Sequence, residues 1–149
     1  MVEKTLSTLV SDYNRTRALY KDLREHFERF CISANSLQKI GSPVEGEGIE
    51  VATENGALSL KFLDRHIRVS MRLDRQNRKG VLHVEDRSAE GIHQAAQTIT
   101  LIPYNEHGES QFGRGEEGHI DLNLEQDRMT LALSIIDIAL DHDPWHLKE

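Results

Sequence analysis

The stretch QFGRGEEGHIDLNL places Gly113, Gly115 and Gly118 at G-x-G-x-x-G spacing. That spacing cradles a pyrophosphate when a strand precedes it and a helix follows, because the first amides of the helix hold the phosphates. Here the third glycine leads into HIDLNL, which alternates as a strand does. Glu116 and Glu117 lie inside the motif, where they repel phosphate. A kinase loop does run between strands, but no paired-lysine strand, H-R-D loop or D-F-G follows. The residues predict a polar acidic loop that uses its glycines for turning.

The other reactive side chains are scattered. His26, His66, His83, His93, His107, His119, His142 and His146 contain no H-E-x-x-H pair. His142 and His146 have the i, i+4 spacing of two helical metal ligands, but Pro144 between them breaks that geometry. Cys31 is the only cysteine, which excludes an internal disulfide and a multi-cysteine zinc site. It falls mid-helix beside apolar residues, away from any helix start that would activate a thiolate, and reads as a buried thiol. There is no G-x-S-x-G, and no carboxylate pair reads as a general acid with its base. No catalytic residue, cofactor or metal is expected. An enzyme with a site assembled from scattered residues is the remote alternative.

Charge is more informative than motif. The net charge is -7, but it is unevenly spread. Residues 61–87 hold eight Lys or Arg against four acids, and residues 106–149 hold eleven acids against three bases. The basic stretch carries Arg68 and Arg72 but no interleaved aromatics, so single-strand nucleic-acid stacking is unsupported. Asp137 and Asp141 are placed in the last turns of a helix, where the dipole disfavours negative charge. An acidic stripe there is expected to meet a cationic surface, such as Arg68 and Arg72 of another subunit or a basic protein. Glu106, Glu109, Glu116 and Glu117 form a second acidic contact candidate in the glycine loop.

The elements that position these residues read from periodicity. Residues 3–38 predict one long helix, with Leu6, Leu9, Tyr13, Thr16, Tyr20, Leu23, Phe27, Phe30, Ala34 and Leu37 on a single stripe of alternating three and four spacing. The same stripe fits a heptad, with Asp12 and Arg17 as an interhelical pair. Its aromatic content suits packing across a sheet. Sheet packing and helix-mediated dimerisation can hold at different ends of one helix.

Residues 48–123 predict the sheet. Asn55-Gly56 marks a two-residue hairpin that sets Val51 opposite Leu60, Ile49 opposite Phe62 and Glu50 opposite Lys61. IRVSMRL puts Ile67, Val69, Met71 and Leu73 on one face and Arg68, Ser70 and Arg72 on the other. VLHVED, TITLIPY and HIDLNL read as further strands, with Pro103 favouring an edge. SAEGIHQAAQ reads as a short helix capped by Ser88. Residues 124–142 predict a last helix, opened by an Asn123–Gln126 capping box and buried around most of its circumference. Trp145 is expected to tuck back onto the domain.

The chain therefore reads as one α+β domain over 1–149: a long N-terminal helix, a five- to six-stranded mainly antiparallel sheet and a C-terminal helix packed on one sheet face. The element order and the pI of 5.6 resemble those of small dimeric secretion-chaperone-type folds, although the first helix is longer than in that architecture. No apolar run is long enough to span a membrane, and the N-terminus lacks a signal-like basic and apolar start. With a single cysteine, these features point to the cytoplasm. The expected function is a non-enzymatic, adaptor- or chaperone-like protein-binding module that forms a homodimer. Its partner is another protein, not nucleic acid or a membrane. The alternative is an acidic inhibitor that mimics nucleic acid.

Overall fold

A computed structural model describes residues 4–39, 48–90, 95–112 and 118–145. The chain begins with α1 (Leu6–Ala34), whose N-cap Thr5 accepts a hydrogen bond from the Thr8 amide. A 3-10 turn (Asn35–Lys39) follows and buries Leu37. Five strands then form one antiparallel meander: β1 (Glu50–Glu54), β2 (Ala57–Phe62), β3 (Arg65–Asp74), β4 (Lys79–Asp86) and β5 (Gln97–Asn105). A small ribbon of β6 (Glu109–Ser110) and β7 (Ile120–Asp121) comes next, then α2 (Glu125–Asp141).

The first hairpin forms as its turn chemistry dictates. Asn55 and Gly56 both take positive φ, at 52° and 74°, and Val51 pairs with Leu60 and Glu50 with Lys61. In β3, Ile67 and Val69 are fully buried while Arg68 and Arg72 face the other way. Both helices pack on that inner face, where Leu23, Phe27, Phe30 and Leu37 meet Leu58, Leu60, Leu82, Val84 and Ile102, with Leu131, Ala132 and Ile135 beside them. The α+β architecture follows from this single covered face. Pro103 lies on β5, an edge strand, where its missing N–H costs no ladder bond.

Four local expectations are corrected. HIDLNL yields only the two residues of β7, which pair with β6 and not with the main sheet; Ile120 and Leu122 still point inward and are buried. Ser88 caps no helix. Ser88 and Ala89 form a turn, and the Ser88 hydroxyl accepts from the His66 amide while its own amide binds Asp86. Residues 91–94 of that segment lie outside the described residues. The capping box of α2 does not form: Leu124 is the N-cap without a side-chain bond, and the Asn123 amide donates to the His107 carbonyl and to Asp121. Its place is taken by Asp127, which accepts from the Asp121 amide in the turn before the helix. Finally, α2 is buried on one side only, since Leu133 and Leu140 are each 42% exposed.

The Trp145 indole donates to Asp64 in the β2–β3 turn. No helix among the described residues is long and apolar enough to cross a membrane.

Candidate functional site

The helical stripe divides in two. From Leu23 onward its residues enter the core, where Leu23, Phe27, Phe30, Ala34 and Leu37 are all buried, and Leu19, beside the stripe, is buried with them. N-terminal to Leu19 no described residue of α1 is buried. Leu6 is 79% exposed, Tyr13 66%, Val10 52% and Leu9 50%. Tyr20, a member of the stripe, is 43% exposed too. Residues 6–18 form an arm roughly 20 Å long at 1.5 Å per residue. It leaves the sheet past the β3–β4 turn, where Arg75, Gln76 and Arg78 close around Asp12, Arg15, Thr16 and Leu19.

An isolated helix of this length is marginal in water. The arm is held by continuity with the packed half of α1, by the Thr5 cap and by a 2.7 Å ion pair between Lys4 and Asp12. The Lys4 hydrogen bond lowers the Asp12 carboxyl below its ordinary value. Burying one Leu, Val or aromatic side chain stabilises by roughly 1.5–3 kcal/mol. The arm offers four such groups within two turns, with Val10 added to the stripe that the heptad spacing picks out. The spacing passed over Val10 because it sits beside the strict three-four series.

The acidic candidates are placed apart from the arm. Asp137 and Asp141 are exposed on α2, on the same outer stripe as Leu133 and Leu140. Glu106 is partly engaged: its carboxylate lies 3.5 Å from Arg78, and its carbonyl shares a hydrogen bond with His26. Glu109 is exposed on β6. Glu116, Glu117, Gly113 and Gly115 lie outside the described residues. Gly118 at φ 47° leads toward β7, not toward a helix start, so the strand-then-helix setting of a pyrophosphate loop is not built there.

Arg68 and Arg72 occupy the uncovered face of the sheet, opposite the helices that carry Asp137 and Asp141. One chain therefore does not bring these two groups together. On that open face Ser59, Arg68, Glu85 and Thr98 form one cross-strand row. Arg87 lies 3.8 Å from Glu85 and 3.7 Å from Glu90. His83 is buried beside them, shares a 2.7 Å hydrogen bond with Thr98, and has its pKa lowered by burial and by Arg72. Arg87 is thus matched by carboxylates.

A hollow of about 140 Å³ lies at the edge of this face, lined by Asn55, Ser59, His66, Arg68 and Arg87. Within it the Ser59 hydroxyl and the His66 ring are 3.1 Å apart. Burial, followed by Lys61 and Arg87, lowers the His66 pKa. A nucleophilic pair also needs a group that orients the base and donors for an oxyanion. Among the described residues no hydrogen bond to the other ring nitrogen of His66 is seen, so the pair reads as a diagonal cross-strand contact.

Cys31 is buried, and desolvation pushes its thiol up to about 12, far from the range of a reactive thiolate. His142 turns back to a 2.9 Å contact with Asp86, a carboxylate with no exposed side-chain surface. No group of three or more potential metal ligands assembles among the described residues.

Comparison with known protein families, curated proteins and solved structures finds no match to this chain.

Proposed function

We propose that this chain is a non-enzymatic protein-binding module, adaptor- or chaperone-like, that works as a homodimer and uses the N-terminal half of α1 as its contact surface. The observation that carries this reading is the split stripe. One periodic pattern runs along the whole helix, yet only its C-terminal half meets the sheet. Exposed single leucines are ordinary on protein surfaces. A row of Leu6, Leu9, Val10 and Tyr13 on a projecting helix is a contiguous apolar surface, and such surfaces mark contact sites. Helix-in-groove recognition reads apolar anchors at this spacing.

The test replaces Leu9 and Tyr13 with lysine in the full chain. Neither residue belongs to the core, so the far-UV spectrum and the thermal midpoint are expected to stay close to those of the parent. Sedimentation mass and the size of the native complex in host extract are expected to fall. Unchanged mass and complex size would remove the arm as the contact surface.

A further inference from the structure

We propose that the elbow where α1 leaves the domain binds a phosphate group, held between Arg15 on the arm and Arg75 and Arg78 on the β3–β4 turn, and that the bound phosphate ties the arm to the domain. The hollow at this elbow has a volume of about 290 Å³. Asp12, Arg15 and Thr16 line it from α1, and Arg75, Gln76 and Arg78 from the turn. The site goes beyond the contact surface, because it uses another side of the arm. Asp12, Arg15 and Leu19 are spaced three and four apart and share one helix face. Burial of Leu19 turns that face toward the domain, whereas Leu6, Leu9 and Tyr13 form a separate, exposed row.

The net charge of the chain is -7, so composition alone does not gather cations at one point. Yet Lys4, Arg15, Arg75 and Arg78 stand here against Asp12 and Glu106. The Asp12 carboxylate is already taken by Lys4 at 2.7 Å. Glu106 lies 3.5 Å from Arg78, whose side chain stays 57% exposed. Asp74, at the end of β3, accepts from the Asn77 amide and side chain and is spent on shaping the turn. Among the described residues neither Arg15 nor Arg75 has an ion pair or a hydrogen bond from its guanidinium. Both still act on one carboxylate: the Lys4 hydrogen bond chiefly holds Asp12 below its ordinary value, and the charges of Arg75 and Arg15 add to that shift. Two uncompensated guanidiniums at one hollow repel each other, and an anion placed between them turns the repulsion into attraction.

An arginine presents its donors as a planar fork that fits the oxygens of an oxyanion. A carboxylate has two oxygens to share among three arginines. A phosphate monoester has three acceptor oxygens and close to two negative charges. The turn also carries its cations on a costly backbone, since Arg78 takes a φ of 53°, which glycine or asparagine adopts more easily. Arg15 belongs to the stretch of α1 that has no buried residue, and Arg75 and Arg78 belong to the sheet. One phosphate held by all three therefore bridges the arm and the domain.

The test titrates inorganic phosphate into the isotope-labelled full chain at constant ionic strength. Amide shifts at Arg15, Arg75 and Arg78 are expected to saturate with a Kd on the order of 1 mM, and hydrogen exchange across residues 6–18 is expected to slow. Arg15→Gln and Arg75→Gln, both at exposed positions, are each expected to weaken binding about tenfold, the loss of one charge-assisted hydrogen bond. Lys21→Gln removes a cation of α1 that lies outside the hollow and is expected to change nothing. O-phosphoserine separates the sources: tighter binding than the ion marks an esterified phosphate as the ligand, and equal binding marks the free ion. Leu9→Lys with Tyr13→Lys is expected to leave phosphate binding intact, so the site and the contact surface stand or fall separately. Shifts that stay linear in phosphate, or a loss in Lys21→Gln equal to that in Arg75→Gln, would reveal a diffuse basic surface and overturn the site. Saturable binding with unchanged exchange in the arm would overturn the tie between arm and domain.

Discussion

The Tyr104 hydroxyl, on β5, donates a 2.6 Å hydrogen bond to the Leu23 carbonyl on α1. Both residues are buried, and burial pushes the phenol pKa upward, so the group is a proton donor throughout the accessible range. The carbonyl has a second lone pair beyond the one used inside the helix. The bond marks where α1 meets the sheet: four residues earlier, at Leu19, burial along the helix ends.

Tyr104→Phe leaves the ring in place and removes the bond. A buried acceptor losing a strong donor is expected to cost roughly 1–3 kcal/mol. Urea unfolding read by fluorescence measures it; a change within error would mean that the bond adds nothing net. Gly80→Ala strikes the same contact from the other side, since a Cβ there would lie 2.7 Å from the Tyr104 ring. Overpacking of this kind is expected to cost about 1–3 kcal/mol.

Gly108 carries a double constraint. Its φ is 83°, and a Cβ would lie 2.9 Å from the His26 ring. Its carbonyl also accepts the Leu122 amide at 2.7 Å, which ties the loop after β5 to the strand before α2. Gly108→Ala is expected to destabilise by more than 1 kcal/mol, roughly, because left-handed backbone and crowding add. Gly48→Ala is the control: nothing lies within 4 Å of its Cβ, and the change is expected to stay within about 0.5 kcal/mol.

Acid is expected to unfold the domain in two stages. His66 and His83 have pKa values held below their ordinary 6.5, first by burial. The unfolded state therefore takes up protons first, and stability falls as pH drops from about 6.5 toward their folded values. Asp86 comes later. Burial pushes its carboxyl upward, but hydrogen bonds from Ser88 and the contact with His142 outweigh this and hold it below the ordinary value. Its contribution is present above the unfolded carboxylate range and is lost as pH falls through the folded value. Thermal midpoints measured from pH 8 to pH 3 follow both stages, and Asp86→Asn is expected to flatten the second. A parent midpoint that did not change between pH 7 and pH 5 would contradict the histidine stage.

Cys31 is expected to react with a thiol reagent only through unfolding. Its thiol is buried and its pKa is raised to about 12. Labelling of the native chain should be slow at pH 8 and immediate in urea. Fast native labelling would mean that α1 opens locally at its packed half.

Local chemistry determined much of this protein in advance. Asn55-Gly56 fixed a turn because its two positive φ values suit those residues, and the register followed. The alternation in β3 determined which residues face the helices, since side chains on a strand must alternate. The failures are equally physical. Ser88 and Asn123 are good caps by type, but each found a tertiary hydrogen bond instead, to the His66 amide and the His107 carbonyl. Leu133 and Leu140 looked buried because an apolar residue carries no label for which side of a helix the sheet will cover. For the same reason the stripe of α1 was visible in full while its division at Leu19 was not. Periodicity gives a helix its face, but only the length of the sheet decides where that face runs out of cover.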